Sequence, residues 1–469
     1  MRRLLAAAIA ALSLTGAASP AVAVVPADNG TNAAVAWALG YTGEGQTIAI
    51  IDAGVDAAHP WFRAGNIAEE ACFTRQTINL LPLCGPELRA FGPGTALPLR
   101  ADGRKDRFTD HGMQVTGAAV GASSRREGFP RGPRGIAPDA RVVAVKNTSE
   151  VEKTGARVNE LEANVRALEW LAEDRSRELA VVNMSWDLEA IPDADGNPIV
   201  DFGTRRGNCD AAARDDLWTR RAVRAITTLR SRGVVSVAAA SNDTDEPVGF
   251  PACLSNVVAV GAVTRDGRIP SRLPKWPAID VFATGVDMLL PRIVGTHVPA
   301  TGASFATATV SGAIALYRQA HPGASPDEIV QQLKKTGKRI RVGTSIRRVL
   351  QVDDFLGIKL PTGRLRPDCL QPQFLVRSGT VRGFFRLTCA PSDRPLHRIA
   401  VTLDGPGESL EAEDLDVRPQ PFESYQDDVV TIGPPASPAT PGGYRLCALM
   451  YTTAVQVWPA KTVCRDYEI

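Results

Sequence analysis

The sequence predicts an α/β domain with a parallel central sheet flanked by helices, followed by a small all-β, sandwich-like domain. Three observations carry that expectation. From about Gln46, short β-branched runs alternate with amphipathic segments, as in a parallel sheet joined by helical crossovers. The runs are nearly continuously apolar, as strands covered on both faces must be. After about Leu360 the pattern changes to short strands punctuated by Gly and Pro.

In chain order, the strands expected are "QTIAIID", "ARVVAVKN", "LAVVNMSW", "GVVSVAAAS" and "VVAVGAV". Between them, "NELEANVRALEWLAED" places Leu161, Val165, Leu168 and Leu171 on one helical face. "DDLWTRRAVRAITTLRSRG" does the same with Leu217, Ile226 and Leu229, and Gly233 ends it. "GIKLPTGRLRPD" reads as a linker. Beyond it, "FLVRSGTVRGFFRLTCAP", "HRIAVTLDGPG", "DDVVTIGPP" and "GGYRLCALMYTTAVQVW" read as strands of a disulfide-bonded β-sandwich. No internal repeat is visible.

The 469 residues are 44% hydrophobic and 22% charged, enough to bury the cores of two domains. A formal net charge of +2 without a basic block gives no sign of a nucleic-acid partner. "MRR" followed by "LLAAAIAALSLTGAASPAVA" reads as an export signal cleaved after Ala23. No later run approaches the roughly 18 apolar residues of a membrane span. The expected organisation is therefore residues 1–23 as signal peptide, 24–355 as α/β domain and 362–469 as β domain. The mature protein is expected to be secreted or periplasmic, with no stable membrane anchor.

Eight cysteines suit that compartment. The expected pairs are Cys72–Cys84 and Cys209–Cys253, with two bridges among Cys369, Cys389, Cys447 and Cys464, whose pairing three connectivities satisfy. No CxxC and no HExxH is present, so zinc is not indicated. "TGEGQT" precedes its strand, whereas a dinucleotide fingerprint follows one.

Three residues invite chemistry. Asp52 ends an apolar strand, where a buried carboxylate needs a partner. His111, in "DHGMQVTGAAVGA", opens a helix of small apolar residues. Ser304, in "TGASFATATVSGA", opens another; serine before an apolar run is most often a helix cap, yet a helix N-terminus also favours developing negative charge. Singly each is weak. Together, in the order Asp, His, Ser, they match the order of the subtilisin triad.

"IAIIDAGVDAAHPWF", "DHGMQVTGAAVG" and "TGASFATATVSGA" resemble the Asp, His and Ser motifs of the subtilisin-like serine proteases of the S8 family, over roughly Trp37 to Gly337. "VVSVAAASNDT" resembles that family's oxyanion segment, which would make Asn242 a side-chain donor; otherwise Asn242 is a turn asparagine. "VVNMSWDLE" resembles the strand that pairs with extended substrate. The resemblance implies an endopeptidase acting on protein or peptide substrates. Asp52 would orient His111, His111 would take the proton of Ser304, and an acyl-enzyme would form. Substrate would lie between Ser185, Trp186 and Asp187 on one side and Ala239, Ala240 and Ser241 on the other. No cofactor is required; family members often carry structural calcium, but no EF-hand-like loop signals it here.

Departures from the family pattern are Ala303, Phe305 and Ala308 around the serine, and Asp187 and Ser241 where Gly is usual. The last two would narrow or charge the primary specificity pocket. Only Val24 to Ala34 stand between the expected cleavage point and the start of the resemblance, which leaves no room for the usual propeptide. Two alternatives stay open: a catalytically weakened binding protein on the same scaffold, and an acyl-transferase or macrocyclase.

Overall fold

The computed structural model describes residues 30–358 apart from 105–109, 123–133, 155, 189, 193–197 and 294–296, and beyond 358 only strand backbones between 370 and 468. The expected signal peptide and most of the linker lie outside the described residues.

One ten-stranded sheet organises residues 47–349. Its strands are β1 (Thr47–Asp52), β2 (Ile67–Phe73), β3 (Arg89–Phe91), β4 (Arg141–Lys146) and β5 (Val181–Met184). They continue with β6 (Val235–Ala239), β7 (Val258–Val263) and β8 (Val281–Thr284). A separate hairpin follows, β9 (Met288–Pro291) and β10 (His297–Ala300), and then β11 (Lys338–Val342) and β12 (Ser345–Val349). The order across the sheet is β11-β12-β8-β7-β6-β5-β1-β4-β2-β3. Every pairing is parallel except β11 with β12 and β2 with β3, at the two edges.

The apolar runs become central strands because both faces are covered. In β1, Ile48 and Ile50 join a core shared with α1 (Ala33–Ala38), α2 (Asp110–Val120) and α5 (Ala303–Ala320). Ala49 and Ile51 join a second core, shared with α3 (Leu161–Glu173) and α4 (Leu217–Ser231). Burying an aliphatic side chain contributes about 1.5–3 kcal/mol, so a strand paired and covered on both faces leaves little freedom of register.

The helices follow their sequence patterns with one correction. Val165, Leu168 and Leu171 of α3 are buried as expected, and Leu161 packs at the edge of the same core. In α4, however, Leu217 is 55% exposed, and the buried stripe is Thr219, Ala222, Ala225, Ile226 and Leu229. Leu217 is the first helical residue, set by the Asp216 cap that accepts from the amides of Trp218 and Thr219, and that start turns it outward. α5 is buried on all sides from Ala303 to Leu316, where its residues are small or apolar and the hydroxyls of Thr307, Thr309 and Ser311 donate to helix carbonyls.

Cys72–Cys84 and Cys209–Cys253 are disulfides, as expected. Among the described tail residues, strands Leu370–Arg377, Thr380–Leu387 and Asp428–Thr431 form one antiparallel sheet. Strands Arg398–Gly405, Glu408–Asp416, Gly443–Tyr451 and Lys461–Glu468 form another, whose register sets Cys447 opposite Cys464. The expected tail disulfides and the packing of the two sheets as a sandwich lie outside what is described.

Candidate active site

The site forms where three adjacent parallel strands end. Asp52 is the last residue of β1, Ser185 follows β5, and Asn242 stands just beyond β6. The rim beyond the carboxyl ends of parallel strands is the usual crevice of an open α/β sheet. α2 and α5 bring His111 and Ser304 to it from their amino ends.

Asp52 and His111 are in direct contact, with Asp52 Oδ1 2.7 Å from His111 Nδ1. The carboxylate is buried, and the same oxygen accepts the Ala53 amide at 2.6 Å. The imidazole keeps 40% of its side-chain surface open. Burial by the surrounding protein pulls its pKa down, but the charge of Asp52 and the hydrogen bond to it outweigh burial, and the pKa stands above the ordinary 6.5. Because Nδ1 faces the carboxylate, Nε2 is the nitrogen left for a reaction partner.

The close approach depends on glycine. A Cβ on Gly112, the residue after His111, would lie 2.2 Å from the Gly54 carbonyl oxygen, beside the strand end that carries Asp52. Gly54 itself has φ +106°. Backbone thus meets backbone, and α2 is held against the end of β1.

Ser304 is buried, at the second position of α5. Gly302 occupies the N-cap position and α5 has no side-chain cap, so the serine is not a helix cap. Ser304 lies next to Phe305, whose ring is 5.7 Å from that of His111. Among the described residues no hydrogen bond joins Ser304 Oγ to His111; such bonds commonly tighten only when substrate is bound. Asn242 is exposed, and its Oδ1 accepts the Ala303 amide at 2.7 Å. Since an amide N–H must meet oxygen, this bond fixes the side-chain orientation and leaves the Nδ2 donors available. The amide of Ser304, in the first turn of α5, has no intrahelical acceptor.

The remaining expected residues line the same rim. The Ser185 hydroxyl lies 2.8 Å from Asn183 Oδ1 and 3.1 Å from the Ser304 carbonyl, tying this segment to the serine. Trp186, Ala239 and Ala240 are buried. Asp187 reaches solvent, yet burial by neighbouring protein and the nearby Glu246 carboxylate raise its pKa. Ser241 has φ +74°, a left-handed conformation costly for a side chain, and its Oγ donates to Glu246 Oε2 at 2.6 Å. That conformation explains why glycine is usual there.

Two supports have partners that the sequence does not reveal. Asn183, fully buried in β5, donates to Ser311 Oγ at 3.0 Å and so joins the strand to α5. An asparagine inside an apolar run was the available clue. Asp110, beside His111, accepts from Arg292 Nε at 2.7 Å and from the Ile293 amide at 2.8 Å. Arg292 directly follows β9, and β10 leads back to the start of α5, so this hairpin spans the beginnings of both helices. Among the described residues no group of three or more His, Cys, Asp and Glu side chains is arranged to hold a metal ion.

Fold and site together define an α/β protein in which an Asp–His pair and a helix-borne serine share one rim of a parallel sheet. The chain belongs to the subtilase family, whose model matches residues 43–350. It is 26% identical over 301 residues to Subtilisin E of Bacillus subtilis (strain 168), covering 63% of this chain and 61% of that protein. The same identity and length relate it to the Subtilisin of Bacillus pumilus, 85% of which is covered. Subtilisin BL of Lederbergia lenta is 34% identical over 112 residues, covering 24% of this chain and 42% of that protein. Among solved structures, "Proteases from Pseudoalteromonas arctica PAMC 21717" shares the fold, with a TM-score of 0.51 and 21% identity, covering 71% of this chain and 99% of that one. The chain thus spans about three-fifths of the length of Subtilisin E.

Proposed function

We propose that this protein is an exported serine endopeptidase that cleaves peptide bonds through Asp52, His111 and Ser304. The observation that carries the reading is the 2.7 Å contact between Asp52 and His111 Nδ1, with Ser304 at the start of α5 next to Phe305, whose ring lies 5.7 Å from the imidazole. Asp52 holds the ring so that Nε2 faces outward and stabilises the imidazolium when it forms. His111 takes the proton of Ser304 Oγ as that oxygen attacks the carbonyl carbon. The tetrahedral oxyanion is received by Asn242 Nδ2 and the Ser304 amide, aided by the positive end of α5. Collapse expels the amine, protonated by His111, and leaves an acyl-enzyme that water then hydrolyses. Substrate backbone lies between the segment from Ser185 to Leu188 and that from Ala239 to Asn242.

Export is supported by the amino-terminal sequence and by two disulfides, which persist in oxidising compartments. Among the described residues no helix is long and apolar enough to cross a membrane. The direct test is a digest of casein by wild type and Ser304→Ala side by side. Peptide release by wild type alone is expected; equal release by both, or by neither, would overturn the proposal.

A further inference from the structure

We propose that a cleft at the opposite end of the sheet is a binding site for a small phosphate- or sulfate-type anion carrying at least two charged oxygens. The cleft, of about 640 Å³, is lined by Gln46, Ala180 and Gly233, which lie just before β1, β5 and β6. The proposed catalytic groups stand at the other ends of these strands. Ser304 and Arg318 likewise occupy opposite ends of the 18-residue α5, about 20 Å apart at 1.5 Å per residue. Peptide bound at the rim would not reach this cleft, and the inference does not depend on the proposed proteolysis.

The cleft is lined by four arginines, Arg175, Arg177, Arg232 and Arg318, against one carboxylate, Glu178. Arg177 is already committed. Its Nε and one terminal nitrogen bind the two oxygens of Glu69 at 2.9 Å each, another donates to the Trp170 carbonyl, and Asp174 lies 3.6 Å away. The other three have no ion pair among the described residues. Arg232 makes a single 3.4 Å bond to the Asp174 backbone carbonyl. Arg318 donates to the Gly233 carbonyl, while its buried Nε has no acceptor.

Arg318 is half-buried, and a donor on it that meets neither water nor a partner is costly. Burial lowers the pKa of Arg318, the direction expected for a charge short of compensation. The nearby acids do not supply it. Glu178 is exposed, as is Arg175, and Asp174 accepts the Ser176 amide and hydroxyl and is shared between Arg177 and the more weakly interacting Arg232. Planar guanidinium forks match pairs of oxygens on a tetrahedral anion. Three such groups around one cleft favour a multiply charged oxyanion over chloride or a simple carboxylate.

Calorimetric titration of the full-length protein with inorganic pyrophosphate, at ionic strength held constant with sodium chloride, tests the site. One saturable equivalent is expected, displaced by excess sulfate. Arg318→Gln should weaken binding at least tenfold and Arg175→Gln or Arg232→Gln severalfold. Arg206→Gln, an exposed arginine outside the cleft, should leave it unchanged. If Arg318→Gln does not fold, the Arg175→Gln/Arg232→Gln double variant decides, with circular dichroism as the folding control. Absence of saturable binding, or equal weakening by Arg206→Gln and the cleft variants, would overturn the proposal.

Discussion

Replacing Gly112 by alanine should disable the site without abolishing the fold. The added methyl would sit 2.2 Å from the Gly54 carbonyl oxygen and 2.7 Å from its nitrogen, where ordinary contact begins at 3.4 Å. Neither atom belongs to a side chain that can swing away, so α2 and the end of β1 must separate by about 1 Å, a misplacement able to cost on the order of 10²-fold in rate. Alanine gains about 1 kcal/mol of helix propensity over glycine, whereas overpacking costs about 1–3 kcal/mol. Stability should therefore fall modestly while the 2.7 Å Asp52–His111 contact is lost. The assay is kcat/KM on a chromogenic peptide, with circular dichroism and thermal unfolding in parallel. Gly323→Ala is the control, because a Cβ there meets nothing within 4 Å. Gly112→Ala retaining more than half of wild-type kcat/KM would mean that the close approach of α2 to the end of β1 does not position the Asp52–His111 pair.

Three further outcomes follow from the geometry. Since His111 must be neutral to accept a proton and its pKa is raised, the acidic limb of kcat/KM should have its midpoint above 6.5, and Asp52→Asn should move it down, leaving burial to act alone. The stabilising contribution of this pairing is fully present below the unfolded histidine value and is lost as pH rises through the raised folded one. Asn242→Ala should lower kcat about 10²–10³-fold with little change in KM, because its donor is needed mainly in the transition state; an unchanged kcat would remove it from the oxyanion site. His297, whose ring lies tilted with its centre 4.0 Å from that of Trp61, is held at about 4 by burial and then by His59, so the unfolded chain takes up a proton that the native state refuses as pH falls from 6.5 to 4. Allowing for its partial exposure, this removes about 1–2 kcal/mol of stability, and His297→Gln should show a smaller drop in Tm between pH 7 and pH 4 than wild type.

What could be read from the sequence was what local pattern encodes. The central strands announce themselves because burial on both faces demands apolar residues throughout, as in β1 and β7. Asp52, His111 and Ser304 stood out because each sits where an apolar element begins or ends. Leu217 misled because periodicity does not say where a capped helix starts. Ser241 was legible as a departure at the expected specificity pocket, whereas its positive φ and its bond to Glu246 belong to three-dimensional structure. Arg292 and Asp110, 182 residues apart, leave no local trace of their pairing. Asn183 signalled that a partner was needed but not that Ser311 would be that partner.

Whether Ser304 is a nucleophile activated by His111 is read out by intact-protein mass spectrometry after treatment with a fluorophosphonate. One added phosphonyl group is expected on wild type, mapped to Ser304 by peptide analysis. Labelling should be absent in Ser304→Ala and slowed by orders of magnitude in His111→Ala, with both variants folded. A folded wild type that takes up no label, or a label that persists in Ser304→Ala, would contradict that role.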